Sequence, residues 1–383
     1  VDVDDGNWTT FAGNQQRTNK PVAQQAGGAY EVVWSRKIAN EQRTIFPVVA
    51  SDLVVYQDDQ AVYALNLSDG RMKFNVAHAA LQSPERPSGC FGQPCYTLTV
   101  ADNQVFGVIN VPLGSQRTIA AAGARSTIWG LDLSRDGALA FRRSSGDLGV
   151  SFTGAPVVDQ AFVYVPVRSN DVAARAGIAC YSRATGEQMW QRWLCRSNTP
   201  ATGKAAEIVN NLLTCDGGII YANTNLGVVA AVHATNGRIL WLHTYERRES
   251  AQDEEGAYYR NPSPCVYHHG KVYVLPTDSN ALLALDAGTG AEFWNYPING
   301  SDSQIASVFA DQLVLKDAGS KALDLFTGNL LPEASNEAGN RDLVLPDAKN
   351  SQFLAVDEML IATGQSELSV LSMSPGEPDA HAP

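Results

Sequence analysis

A single pattern recurs along this chain and limits what it can fold into: an apolar alternating stretch, a small-polar-glycine turn, and an aromatic residue at a fixed distance beyond. One copy reads Leu283-Ala284-Leu285-Asp286-Ala287-Gly288-Thr289-Gly290-Ala291-Glu292-Phe293-Trp294. Ala230 to Trp241 and Ile178 to Trp190 give two more. Weaker copies run from Tyr63 to Phe74 and from Trp129 to Phe141, and Leu323 to Gly328 keeps the turn without the aromatic. In five copies the aromatic stands four residues after the turn glycine: Phe74 after Gly70, Phe141 after Gly137, Trp190 after Gly186, Trp241 after Gly237, Trp294 after Gly290. A constant offset of this kind marks one repeated structural unit.

The unit reads as two strands. Period-two alternation makes half-buried strands. The Asp-Gly, Asn-Gly and Thr-Gly turns supply the positive φ that tight hairpins need. Upstream of the turns sits a second apolar pair, as in Phe46–Tyr56, Ala155–Val165, Leu212–Tyr221 and Ser263–Val274. These predict inner strands A and B, and the repeat itself supplies strands C and D. One four-stranded sheet cannot bury both of its faces. Several arranged radially can, with the aromatics packed between neighbours. The expected fold is all-β, a single β-propeller of four-stranded antiparallel blades.

Turn glycines 70, 137, 186, 237, 290 and 328 mark six blades. A degenerate seventh unit spans Phe353–Ala362 and Glu367–Leu371, with three strands and no tryptophan. Glu31–Ile38 is an orphan outer strand carrying Trp34. Pairing it with the last unit closes the ring by mixing N-terminal and C-terminal strands. This predicts seven blades, with eight as the alternative. The domain reading is a lead-in segment at 1–30, the propeller at 31–373, and a Pro/Gly/Ala-rich tail at 374–383.

Together the copies resemble the pyrroloquinoline-quinone (PQQ) type repeat found in quinoprotein dehydrogenases and in BamB-like envelope proteins. The opening, Asn7-Trp8-Thr9-Thr10-Phe11-Ala12-Gly13-Asn14-Gln15-Gln16-Arg17, is similar to the lead-in of such propellers. The resemblance implies a bacterial, extracytoplasmic protein, in the periplasm or at the cell surface. Eight-bladed relatives are the source of the alternative count.

Composition narrows the partners. The formal net charge of −12 repels nucleic acid and anionic membrane alike. No apolar run approaches the ~18 residues of a spanning helix. The start shows no basic segment and no apolar signal core, so a signal peptide is expected to have been removed. Six cysteines suit an oxidising compartment. Cys90 and Cys95 flank a Phe-Gly-Gln-Pro loop and could close a small ring by a disulfide, while the other pairings stay open. No cysteine or histidine spacing matches a zinc or haem site, and no metal site is expected.

Strand alternation places A–B and C–D turns on one face and B–C and D–A connections on the other. The long segments 78–96, 111–126, 167–177, 195–207 and 246–260 all fall on the second face. Extra loop length is where function tends to sit. The 246–260 segment brings Arg247, Arg248, Glu249, Tyr258, Tyr259 and Arg260, residue types enriched at binding hot spots. Arg168, Asp171 and Arg175 form a second candidate group, and Arg86 beside the Cys90–Cys95 loop a third. Trp34, Phe74, Phe141, Trp190, Trp241 and Trp294 belong to the structural repeat.

A quinoprotein would need more. The resemblance implies a calcium or lanthanide ion on carboxylate and amide ligands, an aspartate base, a stacked tryptophan and a vicinal disulfide. No Cys-Cys dipeptide occurs, and no acidic residue matches a family motif. No catalytic residue and no cofactor are therefore expected. The leading reading is a non-catalytic binding or scaffold propeller of the bacterial envelope or cell surface, engaging a protein or glycan through its long-loop face. It needs no membrane insertion and could be part of a larger envelope assembly. The alternative is a PQQ-dependent dehydrogenase, or a PQQ-binding sensor, with calcium.

Overall fold

The computed structural model describes residues 9–18, 30–38, 44–58, 60–81, 95–109, 126–145, 150–169, 173–198, 206–209, 211–247, 257–260, 263–298, 304–309, 311–316, 320–332, 352–356, 359–363 and 367–373. They form antiparallel sheets in chain order. Sheet 1 holds Val48–Ala50, Leu53–Gln57, Ala61–Asn66 and Met72–Ala77; sheet 2 holds Thr99–Ala101, Gln104–Ile109, Thr127–Asp132 and Ala138–Ser144. Sheet 3 holds Val150–Phe152 and Val157–Val158, then Phe162–Ser169, Ala173–Ser182 and Gln188–Asn198. Sheet 4 holds Leu213–Asp216, Ile219–Asn223, Val228–His233 and Ile239–Thr244; sheet 5 holds Val266–His268, Lys271–Val274, Ala281–Asp286 and Glu292–Pro297. Sheet 6 shows three strands, Gln304–Phe309, Gln312–Lys316 and Ser320–Asp324.

Sheet 7 joins the two ends of the chain. Gln352–Val356, Met359–Thr363 and Glu367–Met373 are completed by Tyr30–Lys37, in register from Tyr30↔Met373 to Lys37↔Glu367. This is the mixed sheet expected from the orphan strand. Together the sheets have the architecture of a β-propeller. Apolar clusters fill the junctions between sheets 7 and 1, 1 and 2, 2 and 3, 3 and 4, 4 and 5, and 5 and 6. The first strands of sheets 1 to 5 lie next to one another, forming the inner ends of the blades.

The repeated aromatic has a defined task. In sheets 1 to 5 the fourth strand carries a register shift beside it, as at Ala284↔Trp294 followed by Leu285↔Glu292. A bulge of one residue re-aims a side chain, and here the ring meets the turn glycine of the next sheet. Trp190 lies on Gly237 and Trp241 on Gly290, and a Cβ added at either glycine would stand 2.6 Å from the ring. Both glycines also have positive φ, +67° and +73°, so two independent requirements exclude a side chain. The indole Nε1–H then donates to the carbonyl three residues before that glycine. Trp34 reaches Leu67, Trp190 reaches Ala234, Trp241 reaches Ala287 and Trp294 reaches Leu325, at 2.8–3.1 Å. Phe74 covers Gly137 with no donor. Between sheets 2 and 3 the latch changes hands. Phe141 turns to Phe106, and Arg143, two residues on, covers Gly186 and donates to the Gly186 and Thr185 carbonyls.

The lead-in segment runs along the inner edges. Thr9, Gln15, Gln16 and Thr18 carbonyls accept from the backbone N–H of Val100, Cys215, Tyr267 and Val308, which lie in the first strands of sheets 2, 4, 5 and 6. Gln15 Nε2 donates to the Val158 carbonyl of sheet 3 at 2.9 Å.

Two expectations are corrected. Segment 167–177 is mainly strand, and segment 195–207 opens with strand residues up to Asn198. The strands of sheet 3 extend to Ser169, resume at Ala173 and continue to Asn198, paired through Arg168↔Ala176, Ala176↔Cys195 and Ala173↔Asn198. Alternating side chains continue to find partners, so the hairpins lengthen instead of opening, and Trp193 lies inside a strand. The expectation of disulfides also needs revision. Cys180, Cys195, Cys215 and Cys265 are free thiols. They pack as small apolar residues, and burial pushes the Cys180 and Cys215 thiols up to about 12. The Cys90–Cys95 pair lies outside the described residues, apart from the Cys95 backbone.

Candidate functional site

The face of B–C and D–A connections carries a polar network that is not part of the repeat motif. It begins in the turn between the second and third strands of sheet 4. Asn225 adopts a left-handed conformation, φ +50°, tolerable for asparagine because its side chain bonds locally. Its Oδ1 accepts from Asn223 Nδ2 at 3.0 Å and from the Thr277 N–H at 3.1 Å. Its Nδ2 donates to Asn211 Oδ1 at 3.2 Å. Asn223 Nδ2 also reaches the Ser263 carbonyl at 2.8 Å. Asn211, Asn223 and Asn225 are all buried, and such groups are tolerated only when their partners are supplied.

Asp278 lies in the corresponding turn of sheet 5. Its side chain is 2% exposed, and its carboxylate accepts from two groups of the connection leaving sheet 4. Tyr245 Oη donates to Oδ1 at 2.7 Å, and Arg247 Nε donates to Oδ2 at 2.7 Å. Arg247 Nη1 continues to Ser197 Oγ of sheet 3 at 2.8 Å. The Arg247 stem runs past Gly227, where an added Cβ would approach to 3.2 Å. One arginine thus ties three neighbouring sheets together. A buried carboxylate is costly unless it is paired and hydrogen-bonded, and here both conditions hold.

Cys195 sits alongside with Ala174, Ala176 and Leu226. Burial raises its thiol, opposed by a hydrogen bond with the Thr224 hydroxyl. Arg168 is 6% exposed and adds positive charge beside the same thiol. The Arg175 guanidinium stacks on the Trp193 ring at 4.4 Å from its centroid.

Outside this network the connections pair with each other. Ala206–Val209 and Ala257–Arg260, which precede sheets 4 and 5, run parallel in register from Ala206↔Ala257 to Val209↔Arg260. Thr44–Ile45 and Cys95–Tyr96, which precede sheets 1 and 2, do the same. Equivalent connections of neighbouring blades travel in the same direction, so parallel pairing follows from the radial arrangement.

The structure therefore brings Arg247, Arg168 and Arg175 to one end of sheets 3 to 5, as strand or strand-proximal residues with defined partners. Tyr258, Tyr259 and Arg260 are placed by backbone in the parallel pair. Arg248, Glu249, Asp171 and Arg86 lie outside the described residues. Sequence reasoning missed Asp278, Tyr245, Ser197 and the three asparagines. Asn223-Thr224-Asn225-Leu226-Gly227 and Thr277-Asp278-Ser279-Asn280 carried turn signals, but nothing local in the sequence shows that these two turns meet.

The profile of one protein family, described as outer membrane protein assembly factor BamB, matches residues 25–191, 115–330 and 174–378. These matches overlap and together run through most of the chain. The chain belongs to the BamB family. Among solved structures, BamB from Moraxella catarrhalis aligns with 90% of this chain and 100% of its own, at 14% identity and TM-score 0.52. A europium-containing methanol dehydrogenase aligns over 98% of this chain and 75% of its own, at 14% identity and TM-score 0.53. A quinohemoprotein alcohol dehydrogenase from Pseudomonas putida aligns over 99% and 82%, at 13% identity and TM-score 0.52. No curated protein matches the sequence. At these identities the structural likeness speaks to the fold. Among the described residues no helix is long and apolar enough to cross a membrane.

Proposed function

We propose that this chain is a non-catalytic binding propeller of the bacterial envelope, periplasmic or at the cell surface, which engages a protein partner through its B–C and D–A face. A glycan is the second ligand class for the same face. The observation that carries the reading is the Asp278–Arg247–Ser197 tie across three sheets. It fixes Arg247, the last described residue before the segment that leads to Tyr258, Tyr259 and Arg260, on partners from two neighbouring sheets. Binding groups held on a stiff base lose less entropy on association than groups on a free loop. Family membership supports a role in assembly, and the strongly acidic charge supports a protein surface over nucleic acid.

Against quinone chemistry stands the placement of aromatic and acidic residues. Trp129 lies on a third strand, Trp190, Trp193, Trp241 and Trp294 on fourth strands, and Trp34 on the outer strand of sheet 7. None of these is on an inner strand. The inner edges of sheets 2 to 6 take the lead-in segment, whose buried charge is the cation Arg17. Among the described residues no three His, Cys, Asp or Glu side chains gather to hold a metal ion. These residues do not fit PQQ on calcium.

The test compares two faces of the intact protein. Tyr258→Ala with Arg260→Ala alters the long-loop face, and His268→Ala with His269→Ala alters the short-turn face. Each variant and the wild type would be cross-linked in envelope fractions and the products identified. A specific partner retained by the His variants and lost by the Tyr/Arg variant supports the reading. Equal loss from both, or loss only from the His variants, overturns it. A melt with PQQ and Ca²⁺ serves as the counter-test. Saturation at about 100 times Kd adds roughly 2.7 kcal/mol, so a dose-dependent rise in Tm would favour the oxidoreductase class.

A further inference from the structure

We infer that the inner edges of sheets 2 to 6 form a peptide-binding site, that residues 9–18 of the chain are its resident ligand, and that Arg17 is the anchor side chain. The inference is independent of the partner proposed for the long-loop face.

The first strand of a blade has one edge with no partner in its own sheet, leaving N–H and C=O groups that must be satisfied elsewhere. Ten residues of lead-in supply partners across five sheets. Four carbonyls take N–H groups from Val100, Cys215, Tyr267 and Val308 at 2.6–3.0 Å. Two glutamine side chains extend the match, Gln15 to the Val158 carbonyl and Gln16 to Asp216 Oδ1 at 3.2 Å. Thr10 pairs with Thr99 and donates to the Leu98 carbonyl at 3.2 Å. The segment itself is folded by turns, with Gly13 N–H on the Thr10 carbonyl and Arg17 N–H on the Asn14 carbonyl, and it is held as recognised peptides are, by backbone bonds that provide affinity and side-chain pockets that provide selectivity.

Arg17 supplies the selectivity. It is 2% exposed. Its Nε and Nη2 both donate to the Leu213 carbonyl, at 3.1 and 2.8 Å. Its Nη1 donates to Thr10 Oγ1 at 2.6 Å and to the Phe11 carbonyl at 2.7 Å. The charge is held by oxygen dipoles, and burial pushes the guanidinium down to about 9. A planar fork fits this cradle where an ammonium would not. The backbone is constrained as well. Ala12 and Arg17 both have positive φ, +58° and +63°, a conformation that persists in such residues only when the surroundings over-determine it.

The contacts sit close to the A–B turns. Val100 precedes the turn at Asp102, Val158 the one at Asp159, Cys215 the one at Gly217 and Tyr267 the one at His269. The chain's own residues thus occupy the short-turn end of the blade interior.

The experiment uses the full chain with a protease site introduced between Pro21 and Gly28. After cleavage, the lead-in fragment should remain with the body through size-exclusion chromatography in native buffer. A fluorescent peptide spanning Asn7–Lys20 should exchange into the cleaved protein and restore any stability lost with the fragment. The same peptide with Arg17→Ala should bind at least about a hundredfold more weakly, given several lost bonds to a charged donor. Arg17→Lys should fall between. Placing the substitutions in the peptide removes folding failure from the interpretation. Free release of the fragment from a body that keeps its melting temperature overturns the inference. So does equal affinity of the wild-type and Arg17→Ala peptides, or a destabilised body that the peptide does not rescue.

Discussion

At the short-turn end of the blades the same contact is made repeatedly: Trp34 on Gly70, Trp190 on Gly237, Trp241 on Gly290, Trp294 on Gly328. At the opposite end, among the described residues, the bonded network of Asp278, Arg247, Tyr245 and the three asparagines is drawn from sheets 3 to 5. The first arrangement is what a radial stack needs wherever two sheets meet, so any copy informs on the others. Among the described residues the second is seen once, across sheets 3 to 5, and the packing of one blade on the next does not require it. Repetition therefore marks stability in this molecule, and singularity marks the place to look for a specific task.

The comparison is broken most severely by removing a latch. Trp241 is buried against Gly290 and Tyr221 and bonds the Ala287 carbonyl at 2.9 Å. Trp241→Ala should cost about 3–5 kcal/mol, the usual range for emptying a large core site. Urea unfolding followed by fluorescence and far-ultraviolet circular dichroism would read it. Partner capture at a temperature well below the lowered midpoint should stay intact. Loss of capture with an unchanged midpoint would contradict the division between the two ends.

The next effect falls at the singular end. Asp278→Ala strands Arg247 and the Tyr245 hydroxyl without their carboxylate. Arg247 keeps some access to water, so the expected cost is about 2–3 kcal/mol, below that of a fully enclosed pair. A double-mutant cycle with Arg247→Ala should return a coupling of about 1–2 kcal/mol. A coupling near zero would mean that the ion pair is incidental and the three sheets are not tied through it.

How much of this was legible in sequence depends on how local each signal is. The turn glycine and the aromatic four residues later are contiguous, and so is the alternation that makes each strand. Even the pairing of Tyr30–Lys37 with Glu367–Met373 followed from one surplus outer strand and one incomplete unit. The latch between sheets 2 and 3 was not legible. Phe141 keeps the offset, yet its ring goes to Phe106, and Arg143 does the work. The polar network was also hidden. Arg247 stood out as a charged residue in a long segment, but its acceptors Asp278 and Ser197 lie 31 and 50 positions away in other blades. Arg17 was read only as part of a lead-in, because a buried arginine looks like any other in a list of residues.

The mildest change separates the ring of a latch from its hydrogen bond. Trp190→Phe keeps an aromatic surface over Gly237 and beside Tyr164 but removes the Nε1–H that reaches the Ala234 carbonyl at 3.0 Å. A net bond of this kind is worth about 1 kcal/mol, with a further small loss for the narrower ring. The natural precedent is Phe74, which covers Gly137 with no donor at all. If Trp190→Phe lowers stability by about 1–1.5 kcal/mol while Trp190→Ala costs several times more, ring packing is the main element of the latch and the indole N–H a secondary one. Equal losses would make the hydrogen bond dominant. The phenylalanine of sheet 1 would then have to be offset by contacts of its own, and the repeat would be less uniform than its spacing suggests.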